Sequence, residues 1–131
     1  MLVVIDNSNR QEVVFHYYLN NQWKEKSFMV TDNQPLLFYF DKLLKITKQT
    51  KENLIGLAVL IGQGSFTSTR IATTLANVFG YVLHIPILGV PEIKLTDLKE
   101  KVAKTKIGQY ISATYSGEPN INLTKSKKLK V

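Results

Sequence analysis

Residues 54–90 read LIGLAVLIGQGSFTSTRIATTLANVFGYVLHIPILGV, and the fold is decided there. Leu57 to Ile61 is an apolar run too short for a free-standing helix and rich enough in Val and Ile for a buried strand. Gly62-Gln63-Gly64-Ser65 breaks the run, since two glycines permit the sharp turn that a strand needs before a helix. Ser65, Thr67 and Ser68 offer oxygens to cap that helix, which is predicted from Thr67 to Phe79 with a stop near Gly80. Ile85 to Val90 is a second buried strand. Strand, helix and strand at this spacing form a βαβ crossover, which implies a parallel pair joined with right-handed topology.

Working outward, the same stretch resembles the N-terminal domain of TsaB (YeaZ), a subunit of the bacterial complex that makes threonylcarbamoyladenosine on tRNA. Members show a glycine-proline-glycine-Ser-Phe-Thr-Gly-x-Arg-Ile-Gly run, then a helix, then an Ile-Pro-hydrophobic-hydrophobic-Gly-Val strand. The corresponding residues here are Gly62-Gln63-Gly64-Ser65-Phe66-Thr67-Ser68-Thr69-Arg70-Ile71-Ala72 and Ile85-Pro86-Ile87-Leu88-Gly89-Val90. The chain departs at Gln63, Ser68 and Ala72, where the family has Pro, Gly and Gly. The resemblance covers residues 1–93. It implies a single ribonuclease H-like domain of the actin and sugar-kinase superfamily, α/β in class, with element order βββαβαβ and a mixed five-stranded sheet.

Upstream, Leu2 to Asp6 reads as a buried strand ending in a carboxylate. Catalytic relatives of that superfamily follow such an Asp with a glycine-rich, phosphate-holding turn. Asn7-Ser8-Asn9 contains no glycine, so Asp6 reads as a turn residue rather than a metal ligand. Glu12 to Leu19 and Gln22 to Val30 are strands joined by an Asn20-Asn21 hairpin turn. His16 lies between aromatics with no partner at metal spacing and reads as structural. Thr31 to Pro35 is a helix-start cluster, and Leu36, Leu37, Phe40, Leu43, Leu44 and Thr47 give an amphipathic helix over 34–48.

Downstream, TsaB continues into a second domain, whereas 41 residues remain after Val90. Thr96 to Lys106 is predicted to be one helix with Leu98 and Val102 inward. The Tyr115-Ser116-Gly117-Glu118-Pro119-Asn120 stretch resembles the ending of some TsaB-like chains, which implies a shortened protein. Charge divides the chain in the same place. Residues 1–93 carry 8 basic and 7 acidic side chains, while residues 94–131 carry 9 lysines against 3 acids. The division predicts a neutral fold-forming domain over 1–93 and a basic C-terminal helix and tail over 94–131. Lys125, Lys127, Lys128 and Lys130 can be an electrostatic footprint for tRNA or simply a solvated terminus.

At 131 residues the chain has room for one ordinary domain. It holds no run of membrane-spanning length and no signal-peptide pattern at Met1, so a cytoplasmic protein is expected. Zero cysteines removes disulfides, thiolate metal sites and a Cys nucleophile. Gly62-Gln63-Gly64 leads to no lysine of a phosphate-binding loop and no third glycine of a dinucleotide fingerprint. Ser65 is followed by Phe66 and so fails the nucleophile-elbow pattern. The Gly62, Gly64, Ser65 and Thr67 turn can still present amides to an anion, though packing alone also explains its glycines.

A non-catalytic subunit without cofactor or metal is therefore expected. By resemblance it supports a TsaD-like partner as a heterodimer, with a TsaE-like ATPase able to join the complex; the alternative of a homodimer when alone stays open. Along the second helix Ile71, Leu75, Val78, Phe79 and Val82 read as the core stripe. Ala72, Ala76 and Gly80, flanked by Thr69 and Thr73, recur every four residues on another face and predict close approach of a partner helix. Leu37, Phe40 and Leu44 of the first helix complete that expected interface. The same small residues can instead pack inside the monomer. Arg70 fits either a partner carboxylate or the Asp32 loop. The competing function is a nucleotide- or RNA-binding module acting through the glycine turn or the lysine tail.

Overall fold

The computed structural model describes residues 1–31 and 33–112, without the side chain of Phe66. Three strands open the chain: β1 (Leu2–Asn9), β2 (Glu12–Leu19) and β3 (Gln22–Met29). The helix α1 (Leu36–Ile46) leads through a 3-10 turn at Lys51–Asn53 to β4 (Gly56–Leu60), α2 (Phe66–Leu83), β5 (Ile87–Val90) and α3 (Leu95–Lys104). The strands form one sheet in the order β3-β2-β1-β4-β5. β1 runs antiparallel to β2, and β2 to β3, whereas β1, β4 and β5 are mutually parallel neighbours. The βαβ crossover is thus β4-α2-β5, and the sheet is mixed and five-stranded as the sequence implies.

Alternation along β1 decides which residue meets which layer. Val3 and Ile5 join Phe15, Leu57 and Val59 beneath α1 and α2. Leu2 and Val4 join Ala58 and Val90 on the opposite face, where α3 buries Leu98 and Val102. The segment after residue 93 therefore contributes a layer of the fold. β4 is buried at all five positions, because helices cover both of its faces. The β2-β3 hairpin turns through Asn20 and Asn21 at φ 53° and 63°, the paired left-handed conformation that suits a two-residue turn. At the foot of the sheet the Met1 ammonium donates to the Asn53 carbonyl at 2.9 Å. Burial lowers its pKa below the ordinary value.

All three helices differ in their bounds from the sequence reading, α3 running over Leu95–Lys104 where Thr96 to Lys106 is predicted. α1 is shorter than 34–48 and ends where Thr47 turns its hydroxyl onto the Leu43 and Leu44 carbonyls, with Lys48 at φ 59°. α2 does not stop at Gly80. It continues to Leu83 and closes on His84, at φ 54°. Gly80 is spent on packing instead, since a Cβ there would stand 2.9 Å from Ile87 Cγ2. The expected Ser116–Asn120 loop and the lysine tail lie outside the described residues.

Candidate interaction surface

The turn between β4 and α2 has Gly62 at φ 82° and Gly64 at φ 79°. A Cβ on Gly64 would lie 2.6 Å from both Cα and the carbonyl oxygen of Ser8. The turn is thus pressed against the end of β1, and packing accounts for this glycine. Ser8 is fixed in turn by Asp6, whose carboxylate accepts from the Ser8 amide at 3.0 Å and its hydroxyl at 2.6 Å. Asp6 is not the turn residue that its glycine-free sequel implies but lies within β1, which runs on to Asn9. It stands opposite Val14 just before the strand register shifts, and its carboxylate serves that irregularity by holding Ser8. Asn7 Nδ2 ties the two segments together by donating to the Ser68 carbonyl at 3.0 Å.

Ser65 caps α2, its Oγ accepting from the Ser68 amide at 3.0 Å. Thr69 donates back to the Gln63 carbonyl, and Thr67 stays exposed. Beside these residues opens a cleft of about 420 Å³ between the starts of α1 and α2, lined among others by Asn7, Arg10, Gln34, Tyr39 and Thr67. Tyr39 is already engaged, donating to the Thr31 carbonyl and accepting from the Thr31 amide.

The faces of α2 differ from those expected: of the expected core stripe Leu75 and Phe79 pack against the core, while Ile71, Val78 and Val82 turn outward. Thr69, Ala72, Thr73 and Ala76 are each at most 4% exposed, and Gly80 is buried with them. Ala72 and Ala76 sit in the core over Val3, Ile5, Leu57 and Val59. The two threonines cause no loss there, because each hydroxyl donates to a carbonyl of the preceding turn or loop. The row of small residues is thus an internal seat on the sheet and not a partner surface. Phe40 and Leu44 of α1 are likewise interior, Phe40 stacking at 5.2 Å on Phe79. Of the eight expected interface residues, Leu37 alone is exposed. The physical reason is steric: β1 and β4 present Val, Ile and Leu, so the helix approaches on its smallest side chains.

The turned-out face is apolar instead. Ile71, Val78, Tyr81 and Val82 are exposed by 47% to 68%, next to Leu37 at 44%. Leu36, Leu37, Ile71, Leu75 and Val78 line a groove of about 380 Å³ between α1 and α2, with Arg70 on its rim. On the other flank of α2, Asn77 clasps the backbone of Ile111. Its Oδ1 accepts from the Ile111 amide at 2.9 Å and its Nδ2 donates to the Ile111 carbonyl at 3.1 Å.

His16 faces Glu25 across the hairpin at 3.6 Å. Among the described residues no three His, Cys, Asp or Glu side chains group so as to hold a metal ion, and no helix is long and apolar enough to cross a membrane.

Two solved structures from Pseudomonas aeruginosa share this architecture. One is YeaZ, at TM-score 0.61 and 20% identity over 76% of this chain and 48% of that one. The chain has the YeaZ fold. The other is an uncharacterized protein with similarity to peptidase YeaZ, at TM-score 0.59 and 22% identity over 68% of this chain and 42% of that one. The chain spans less than half the length of either. No family model and no curated protein matches the sequence. Against the YeaZ fold, sequence reasoning located the motif-bearing helix and missed its outward residues. The usable signal was that α2 is apolar on two sides, which leaves one side uncovered in a chain of this size.

Proposed function

We propose that this chain is a non-catalytic scaffold subunit of TsaB type, supporting a TsaD-like protein in threonylcarbamoyladenosine modification of tRNA. One observation carries the reading: α2, the helix bearing the family-like motif, turns Ile71, Val78, Tyr81 and Val82 to the surface beside Leu37. Exposed apolar side chains gathered along a helix pair are what a partner helix covers. The YeaZ fold and the resemblance of the Gly62 to Ile71 motif are what lead us to propose a TsaD-like partner. The docking face is therefore the outer side of α1 and α2, with the buried small residues acting only as its foundation.

The nucleotide-binding alternative draws on the Gly62–Gly64 turn, and the close seat of Ser8 against Gly64 disfavours it. Titration calorimetry with ATP separates the readings, since a scaffold acting alone is expected to show no heat of binding. The direct test is co-purification with the TsaD-like protein of the same organism. Ile71→Asp with Val78→Asp is expected to abolish capture by placing unpaired charges in the interface, a loss of about 3 kcal/mol or more. The variant keeps its circular dichroism, because both residues are exposed. Capture that survives this double change refutes the docking face. If the chain alone dimerises and the same variant makes it monomeric, the face also serves the second copy.

A further inference from the structure

We propose that the lysine-and-phenylalanine surface where α1 meets β3 is a binding strip for single-stranded nucleic acid. Lys26 and Lys42 share one aromatic ring, their ammonium groups lying 5.6 Å and 5.5 Å from the Phe28 centroid. Lys42 also lies 5.4 Å from the centroid of Phe38. Two like charges are thus drawn onto one small surface by ring quadrupoles. Lys24 projects from the same face of β3, two residues from Lys26, and Lys45 follows Lys42 by three on α1.

Among the described residues none of these four lysines forms an ion pair. Glu25, between Lys24 and Lys26 in sequence, points to the opposite face of the sheet and meets His16. Asp41, the residue before Lys42 and four before Lys45, is exposed on α1. Four lysines against Asp41 give the strip an excess of positive charge within a segment whose net charge is close to zero. A polyanion is the occupant that this charge fits.

The aromatic members select which polyanion. Phe28 is anchored on Phe15 and Tyr39, and Phe38 stands edge-on to Tyr39 at 5.2 Å, so the rings are held by the core. Phe38 remains 40% exposed between lysines. A fixed ring flanked by ammonium groups suits a base stacked on the ring with its phosphates on the lysines. β3 is the edge strand, so no neighbouring strand blocks the approach. Ile71 and Val78 lie on α2 and are no part of the strip, so its failure in the following test leaves the scaffold reading untouched.

The experiment is a fluorescence-anisotropy titration of the full chain with a short labelled oligouridylate over a series of salt concentrations. Binding is expected, with a logarithmic salt slope of about −1.4 to −2.8 for two to four neutralised phosphates. Lys26→Glu with Lys42→Glu is expected to weaken it by about tenfold or more, and Phe38→Ala by roughly fivefold to tenfold. Lys99→Glu, which removes a charge over Tyr18 elsewhere on the molecule, is the control and changes little. The proposal is overturned if the lysine pair can be reversed without effect. It is equally overturned if binding is lost only on neutralising Lys125, Lys127, Lys128 and Lys130. Competition by polyglutamate as strong as by unlabelled oligouridylate, or indifference to Phe38→Ala, assigns the strip to an acidic protein and overturns it too.

Discussion

Gly64 shows how one residue joins two segments. Its φ of 79° is left-handed, and its missing Cβ is the space that the backbone of Ser8 occupies. Gly64→Ala meets both objections at once, a disfavoured conformation and a contact with backbone that cannot rotate away. We expect the substitution to destabilise the chain by about 1–3 kcal/mol, read as a lower denaturant midpoint at unchanged slope. Gly62 is also left-handed, at 82°. A glycine pair before a helix was readable in the sequence as a turn, while its pressing against β1 was not. That contact spans 56 positions of chain, from Ser8 to Gly64, and no local pattern encodes it.

At the scale of the element, α2 has two apolar sides and only one sheet to pack on. The side of Ala72, Ala76 and Gly80 won because it lets the helix axis come close, bringing Gly80 against Ile87 and Phe79 against Phe40. Ala76 is fully buried, whereas Val78 two positions on is half exposed. Opposite outcomes are expected from charges at these neighbours. Ala76→Arg forces a long cation into the core and is expected to unfold the isolated chain, at a cost of about 3–5 kcal/mol. Val78→Asp is expected to leave the melting temperature within a few degrees and to act on partner capture alone. Paired thermal melts by circular dichroism read both. A folded Ala76→Arg protein would return the small-residue face to the surface.

At the scale of the molecule, the described residues form three layers: α1 and α2, the sheet, and α3. The third layer is the thinnest, with Leu98 and Val102 of α3 closing over Leu2, Val4, Ala58 and Val90. Leu98→Ala opens a cavity in a layer that has few other atoms to fill it, and is expected to cost about 2–5 kcal/mol. Loss of that size in a small domain should appear as a clear drop in denaturant midpoint. An effect below about 1 kcal/mol would show that the α3 layer contributes little to folding.

The sequence alone determined the element order, the parallel β4-α2-β5 unit and the Asn20-Asn21 hairpin. Each depends on neighbours within a few residues: period-two alternation, and glycine or asparagine at left-handed positions. Which face of α2 turns inward was decided only in three dimensions. Hydrophobicity ranks Ile71 and Val78 above Ala72 and Ala76 as core candidates, yet burial is allotted by fit between surfaces. A sheet already filled by Val3, Ile5, Leu57 and Val59 accepts the small face and leaves the large one outside. The lysine strip was hidden for the same reason. Lys24, Lys26, Lys42 and Lys45 are scattered among acids in sequence order, and only the packing of α1 beside β3 brings them onto one surface.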